Sequence, residues 1–223
     1  IIKFFSIMDN KYSFNILYLT DILPIGSNNY KGKYISDQIS AIKRINSGIV
    51  KTILVTPYFK KKIDTIYSDH SLEFDIHSLN ILSLPKYYFM RLKSLFFVIQ
   101  HYFFFKNLIN KDKIDFIHCH NFSLSGISYF LKIFFGIPYF ITIHGREDKA
   151  VLENTKRKLA NMNLFLSTAS KVIVVGKVLN PYIKNFGINH SNIVVIPNGI
   201  TKNWIVDVAN IQQNHLQEKS IKL

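Results

Sequence analysis

The strongest constraint on what this chain can fold into is a rhythm. Short, unbroken apolar runs alternate with segments of helical spacing. NILYLT (15–20), KTILVT (51–56), DFIH (115–118), YFITI (139–143), KVIVV (171–175) and NIVVI (192–196) are rich in β-branched and aromatic residues. Each is apolar at consecutive positions. A strand with one wet face alternates; a strand covered on both faces does not. One or two further short strands are predicted within 68–84. Helices are predicted over 34–45, 90–109, 123–135, 148–166 and 179–186, and Gly136 and Gly187 stand where left-handed caps are expected. This alternation predicts an α/β fold: a doubly wound parallel sheet with helices on both faces.

At 223 residues the chain is one large domain, or about one and a half. A single cysteine, Cys119, excludes an internal disulfide framework and any Cys-rich zinc site. The net charge of +14 points toward an acidic partner, but only four of the basic residues are Arg (Arg44, Arg91, Arg146, Arg157). Readers of nucleic acid rely on bidentate Arg contacts, and no nucleic-acid motif is present, so no nucleic-acid partner is expected. The richest apolar stretch, 87–109, is interrupted by Arg91, Lys93, Gln100, His101, Lys106 and Asn107. It reads as an amphipathic helix with one buried face, not as a span. No secretory signal is read at the start of the chain.

Ligands of open α/β sheets lie beyond the carboxyl ends of the strands. Three loops there carry candidate chemistry. The loop after the first strand holds Gly26 and Gly32 before a helix. It suits close approach of backbone N–H groups to a phosphate, and equally suits an ordinary connection. Its spacing is not the dinucleotide fingerprint. The second loop follows Asp115 with His118, Cys119, His120 and Asn121. His118 and His120 share a strand face and Asp115 takes the other, so a structural or substrate-lining role is expected rather than a metal site. Cys119 reads as a packed thiol. The third loop is His144-Gly145-Arg146-Glu147-Asp148. His144 can hydrogen-bond a hydroxyl or meet developing charge, and Arg146 can clamp phosphate or carboxylate. At least one of Glu147 and Asp148 serves the N-terminal turn of the next helix.

The order DFIHCH, GIPYFITIHGRED, SKVIVVGKVLNPYI, NFGINHSNIVVIPNGI, from Asp115 to Ile200, resembles the amino-terminal half of a family-4 glycosyltransferase. Residues 15–32 match that family more loosely. The resemblance implies one half of a GT-B fold: two Rossmann-like domains across a cleft, the amino-terminal one binding mainly the acceptor. It implies sugar transfer from a nucleotide-diphosphate donor to a cell-surface glycan or lipid-linked acceptor, with retention at the anomeric carbon and with no metal or other cofactor. By position, His144 would be the catalytic residue beside the transferred sugar. Gly26, Gly32 and Gly145 would lie near the donor phosphates and sugar. Arg146, Glu147, His118, His120 and Asn121 would line the acceptor side of the cleft.

The chain departs from the family pattern at Gly176, where a Ser is usual, and at Thr201, where an Asp is usual. The family's Glu-x7-Glu pair is also missing. The expected organisation is an extension at 1–14, the Rossmann-like domain at 15–200, and at 201–223 the linker and start of a donor domain. The alternative is a stand-alone non-catalytic binding module, or a partner of a separate donor-binding subunit. The expected place of work is the cytoplasm, and the Lys excess and the 87–109 helix permit docking on the anionic inner face of the plasma membrane.

Overall fold

A computed structural model describes residues 13–23, 32–57, 75–81, 90–145, 163–184 and 188–198. The strands are β1 (Ile16–Thr20), β2 (Val50–Pro57), β3 (Asp75–Ile81), β4 (Phe116–Cys119), β5 (Tyr139–Ile143), β6 (Lys171–Val174) and β7 (Ile193–Val195). The helices between them are α1 (Lys33–Ile45), α2 (Met90–Gln100), α3 (Tyr102–Asp112), α4 (Ser125–Phe135) and α5 (Asn180–Lys184), with a helical turn at 163–167. The seven strands form one sheet in the order β3-β2-β1-β4-β5-β6-β7. Every pairing is parallel. This is the doubly wound α/β sheet that the apolar rhythm predicts.

The two-residue period of each strand sorts its side chains between two cores. Ile16 and Tyr18 of β1 join Val50 and Leu54 of β2 under Ile35 and Ile39 of α1. Leu17 and Leu19 face the other way, into a larger core with Phe97 and Val98 of α2, Phe105 of α3 and Ile127 and Leu131 of α4. Both faces of β1 are therefore buried, which is why NILYLT shows no polar alternation.

The strand order reverses between β1 and β4. Chain leaving β1 passes through α1 to β2 on one side, whereas β4 feeds α4 and β5 on the other. A crevice opens at the carboxyl ends of such a pair, because the two following loops diverge.

The single helix expected over 90–109 is instead two helices. His101 leaves helical geometry at φ −106° and ψ 19°. Its Nδ1 lies 3.0 Å from the Phe97 carbonyl, which also accepts the His101 backbone N–H at 3.1 Å. A side chain that turns back on the preceding turn in this way bends a helix. The chain expected to be helical over 148–166 lies outside the described residues except at 163–166, and the Gly187 cap lies outside them altogether. Gly136 closes α4 at φ 73°, the left-handed cap anticipated there.

Close contact between α2 and α4 depends on Gly126. A Cβ at that position would lie 2.5 Å from Ser94 Oγ and 2.9 Å from Ser94 Cβ. Ser94 is buried and its side chain is too short to move aside. Gly126→Ala should therefore destabilise the fold by about 1–3 kcal/mol, the usual range for overpacking. Adding Ser94→Gly should recover part of that loss. Urea denaturation of the two single variants and the double variant checks this, and strictly additive effects would contradict it.

Candidate active site

The carboxyl ends of β1, β4 and β5 carry a column of imidazoles. β1 and β4 pair with Tyr18 opposite His118, and the His120 backbone N–H donates to the Leu19 carbonyl at 2.9 Å. His118 and His120 point to the same side, as strand period requires, and their ring centroids are 4.4 Å apart at 24°. His144, one residue past β5, continues the column 5.8 Å beyond His120 at 16°. Tyr18 packs beside His118 and His120 at 5.1 and 5.2 Å. Tyr34 of α1 closes over His144 at 4.7 Å. The column thus stands on the α1 side of the sheet, rising from the buried interior to the edge.

One polar anchor fixes its base. His118 Nε2 lies 2.7 Å from Thr142 Oγ1, and both residues are buried. His120 is wholly buried, and neither ring nitrogen has a hydrogen-bond partner among the described residues. The Tyr18 hydroxyl is in the same position. Burial penalises the charged form of each ring. It pushes His118 down to about 3, with repulsion from His144 adding to the effect. It pushes His120 down as well, helped by His118 and His144. His144 is pushed down to about 4, and the His120 backbone partly offsets the shift. At neutral pH all three rings are uncharged.

A polar brace crosses the crevice beside the column. The Asn121 side-chain amide donates to Asp21 Oδ1, and Ser123 Oγ donates to Asp21 Oδ2 at 2.9 Å. Just before Asp21, Thr20 Oγ1 donates to the Ile22 carbonyl at 2.8 Å and shapes the turn out of β1. Gly32 starts α1 at φ 79°, and a Cβ there would lie 2.8–3.0 Å from Ile22. Close packing of the loop's two ends therefore accounts for a glycine at this position. Gly145 turns away from β5 at φ 133°, a conformation that favours glycine.

The candidates from sequence divide as follows. His118, His120, Asn121, His144 and Gly145 come together at the β4 and β5 edge. His118 and His120 lie beneath that edge and support it, whereas Asn121 and His144 are half-buried at it. Gly32 lies at the head of α1. Gly26, Arg146 and Glu147 lie outside the described residues. Asp115 sits at the other end of β4, exposed, and accepts the Asn15 backbone N–H at 2.7 Å. Among the described residues no group of three or more His, Cys, Asp or Glu side chains is placed to hold a metal ion. Cys119 faces the apolar core, with Sγ 2.9 Å from the Asn121 carbonyl.

Tyr18, Tyr34, Thr142, Asp21 and Ser123 complete the site without having been singled out. Tyr18 read as one more apolar residue of β1. Its only local signal was the two-residue period that puts it on a face with Thr20.

The column makes the fold sensitive to acid. In the unfolded chain these imidazoles titrate near 6.5, and in the folded chain well below that. The unfolded state then binds more protons as pH falls, so the stability present above about pH 6.5 is progressively lost toward pH 4 and then 3. His120→Phe keeps a ring in the stack and removes one titrating group. It should make the fall of unfolding free energy with acid shallower by about one proton. Denaturation curves across this pH range check the slope. A slope identical to that of the parent would show that His120 is not buried neutral.

The sequence profile described as Glycosyltransferase Family 4 matches residues 53–204. None of the curated proteins matches the chain. Among solved structures, sucrose-phosphate synthase from Thermosynechococcus elongatus is similar at TM-score 0.59 and 16% identity, over 84% of this chain and 49% of that one. Anabaena Alr3699/HepE in complex with UDP and glucose is similar at TM-score 0.56 and 14% identity, over 85% of this chain and 46% of that one. UDP-N-acetylglucosamine 2-epimerase from Rickettsia bellii is similar at TM-score 0.54 and 12% identity, over 83% and 45%. The chain spans about half the length of these proteins. Identities this low speak for the fold alone, and one of the three is an epimerase. The fold they share with this chain is half of the GT-B arrangement.

Proposed function

The chain belongs to glycosyltransferase family 4, and we propose that it is the acceptor-binding half of an enzyme that moves a sugar from a nucleotide-diphosphate donor to a cell-surface glycan or lipid-linked acceptor, with retention. The observation that carries this reading is the place of His144. It stands at the carboxyl edge of β5, on top of a neutral imidazole column, beside the crevice where the strand order reverses. Residues 15–200 form the transferase's amino-terminal domain on this reading, with 1–14 as an extension and 201–223 as the link to a donor-binding half. The work is cytoplasmic, at the inner face of the plasma membrane. HepE was solved with UDP-glucose, so a UDP-sugar is the first donor to test.

His144 acts here as a neutral hydrogen-bonding group. With its pKa held down to about 4, it contributes no full positive charge at neutral pH. It orients a sugar hydroxyl or stabilises partial charge near the anomeric centre through a fixed, pre-positioned dipole. The column beneath prevents the ring from swinging, so reorientation is already complete before the reaction. Asn121, braced on Asp21, offers polar groups on the neighbouring loop. On this reading Gly26, Gly32 and Gly145 are assigned to the donor phosphates and sugar, and Arg146 and Glu147 to the acceptor, by their places in the sequence. The leaving diphosphate is met chiefly by the donor-binding half. Residues 1–223 alone should therefore show no transfer from a nucleotide sugar, and measurable turnover by them would overturn this division of labour.

In the enzyme that carries both halves, His144→Ala should lower kcat by about one to three orders of magnitude. Steady-state kinetics with a nucleotide sugar and its acceptor measure this, and near-parental kinetics would remove His144 from the reaction. Because the ring is already neutral at pH 7, kcat/KM should show no His144 ionisation near 6.5, and its acid limb should fall toward pH 4. A limb centred near 6.5 that disappears in the variant would mean the ring works as a cation.

A further inference from the structure

A histidine that works on a sugar must present a ring nitrogen to it. His144 does not do so here. The residue is only half-buried, but both Nδ1 and Nε2 are shut off from solvent. What it still exposes is carbon or main chain. Two aromatic neighbours pack on the ring. His120 lies 5.8 Å away and near-parallel, at 16°, and Tyr34 lies 4.7 Å away, tilted by 55°.

The two neighbours differ in freedom. His120 is wholly buried, and its backbone N–H is tied to the Leu19 carbonyl at 2.9 Å. It cannot leave without opening the sheet. Tyr34 is half-buried and stands in the first turn of α1. Other residues hold that helix in place. Ile35 and Ile39 are wholly buried in the core that includes Ile16, Tyr18 and Leu54. Ser36 Oγ donates to the Lys33 carbonyl at 2.8 Å, which ties the first turn together. Gly32 packs so closely on Ile22 that a Cβ would lie 2.8 Å from the Ile22 side chain. The backbone of the first turn is therefore fixed while the Tyr34 side chain keeps a choice of rotamer. An aromatic side chain on a helix has two common χ1 wells, near 180° and −60°. Exchange between such wells is fast for a partly exposed residue and needs no backbone movement.

We propose that Tyr34 is the gate of the site: its ring covers the nitrogens of His144, and its rotation about χ1 admits a sugar hydroxyl to them. Group transfer gives such a gate a use. Water competes with the acceptor for the reacting sugar, and a ring that leaves only when sugar takes its place keeps water out. The identity of what enters rests on the transferase reading, whereas the cover itself is measured without donor or acceptor.

The test is acylation of histidine by diethyl pyrocarbonate, which needs an accessible, neutral ring nitrogen. At about pH 7.5 a ring with the ordinary pKa near 6.5 is already mostly neutral, so uncovering His144 changes access and not charge. A cover that is open about 0.1–10% of the time slows the reaction by roughly tenfold to a thousandfold. In the 223-residue chain, followed by peptide mass spectrometry, His144 should react at least about tenfold more slowly than N-acetylhistidine. Tyr34→Ala should speed its reaction by about tenfold or more, while His118 and His120 stay protected and so report an intact fold. Tyr34→Phe keeps the ring and should keep the parental protection. If Tyr34→Ala does not fold, Tyr34→Leu replaces it, with a smaller rise in the same direction. Three results would overturn the proposal. One is a parental His144 that reacts as fast as N-acetylhistidine, since its nitrogens would then lie open. Another is unchanged protection of His144 in the folded variant, which would give the cover to another part of the chain. The third is release in Tyr34→Phe as large as in Tyr34→Ala, which would mean that the ring is not what shuts the site. The transferase reading fails separately, through unimpaired kinetics of His144→Ala, and that failure leaves the labelling pattern of the Tyr34 variants unchanged.

Discussion

The site depends on one set of backbone hydrogen bonds, the parallel ladder between β1 and β4. It joins strands about a hundred residues apart in sequence and places Leu19 beside Cys119. With that register set, Asp21, just past β1, meets Asn121 and Ser123, both in the segment that follows β4. Tyr18 comes to lie against His118 by the same pairing. The ladder is also where the winding of the sheet reverses, the place where ligands of open α/β sheets bind. One register error between these strands would turn the histidines to the other face and dissolve the site.

The strands could be read from the sequence because a buried parallel strand must be apolar on both faces, and little else produces five such residues in a row. Tyr139–Ile143 appears with the bounds anticipated for it. The break at His101 could not be read, because the apolar pattern runs through it without interruption. What bends the chain there is an imidazole folding back on the Phe97 carbonyl, a rotamer choice with no trace in the spacing. An outward apolar stripe on α2 was hidden for a related reason. Period predicts one buried face and cannot show that Leu92, Phe96 and Ile99, on the other, stand exposed.

The site was half legible. That His118 and His120 share a side follows from their two-residue spacing, and their stacked rings express it. That His144 extends the same column follows from the β4–β5 register, in which Cys119 pairs with Ile141. Registers between strands are set by the whole sheet, so no local motif announces them. Asp21 carried no local signal, because its partners lie a hundred residues away.

The column has a cost that packing alone does not explain. Phenyl or leucyl side chains would fill the same volume without stranding polar atoms, yet His120 keeps two nitrogens without partners among the described residues. Burying such groups costs stability wherever no partner compensates. Departures from local consistency of this kind gather at functional sites, where one property is held at the expense of another. On the function proposed above, that property would be a ring at the carboxyl edge of β5, His144, fixed in place and uncharged at neutral pH. Tyr34 presses on it from above and His120 supports it from below. A lone histidine on a mobile loop would be solvated, would swing between rotamers and would titrate near 6.5. The rings beneath His144 are themselves neutral and add no charge there, and His120, whose nitrogens lack partners among the described residues, lies deeper than the half-buried His144.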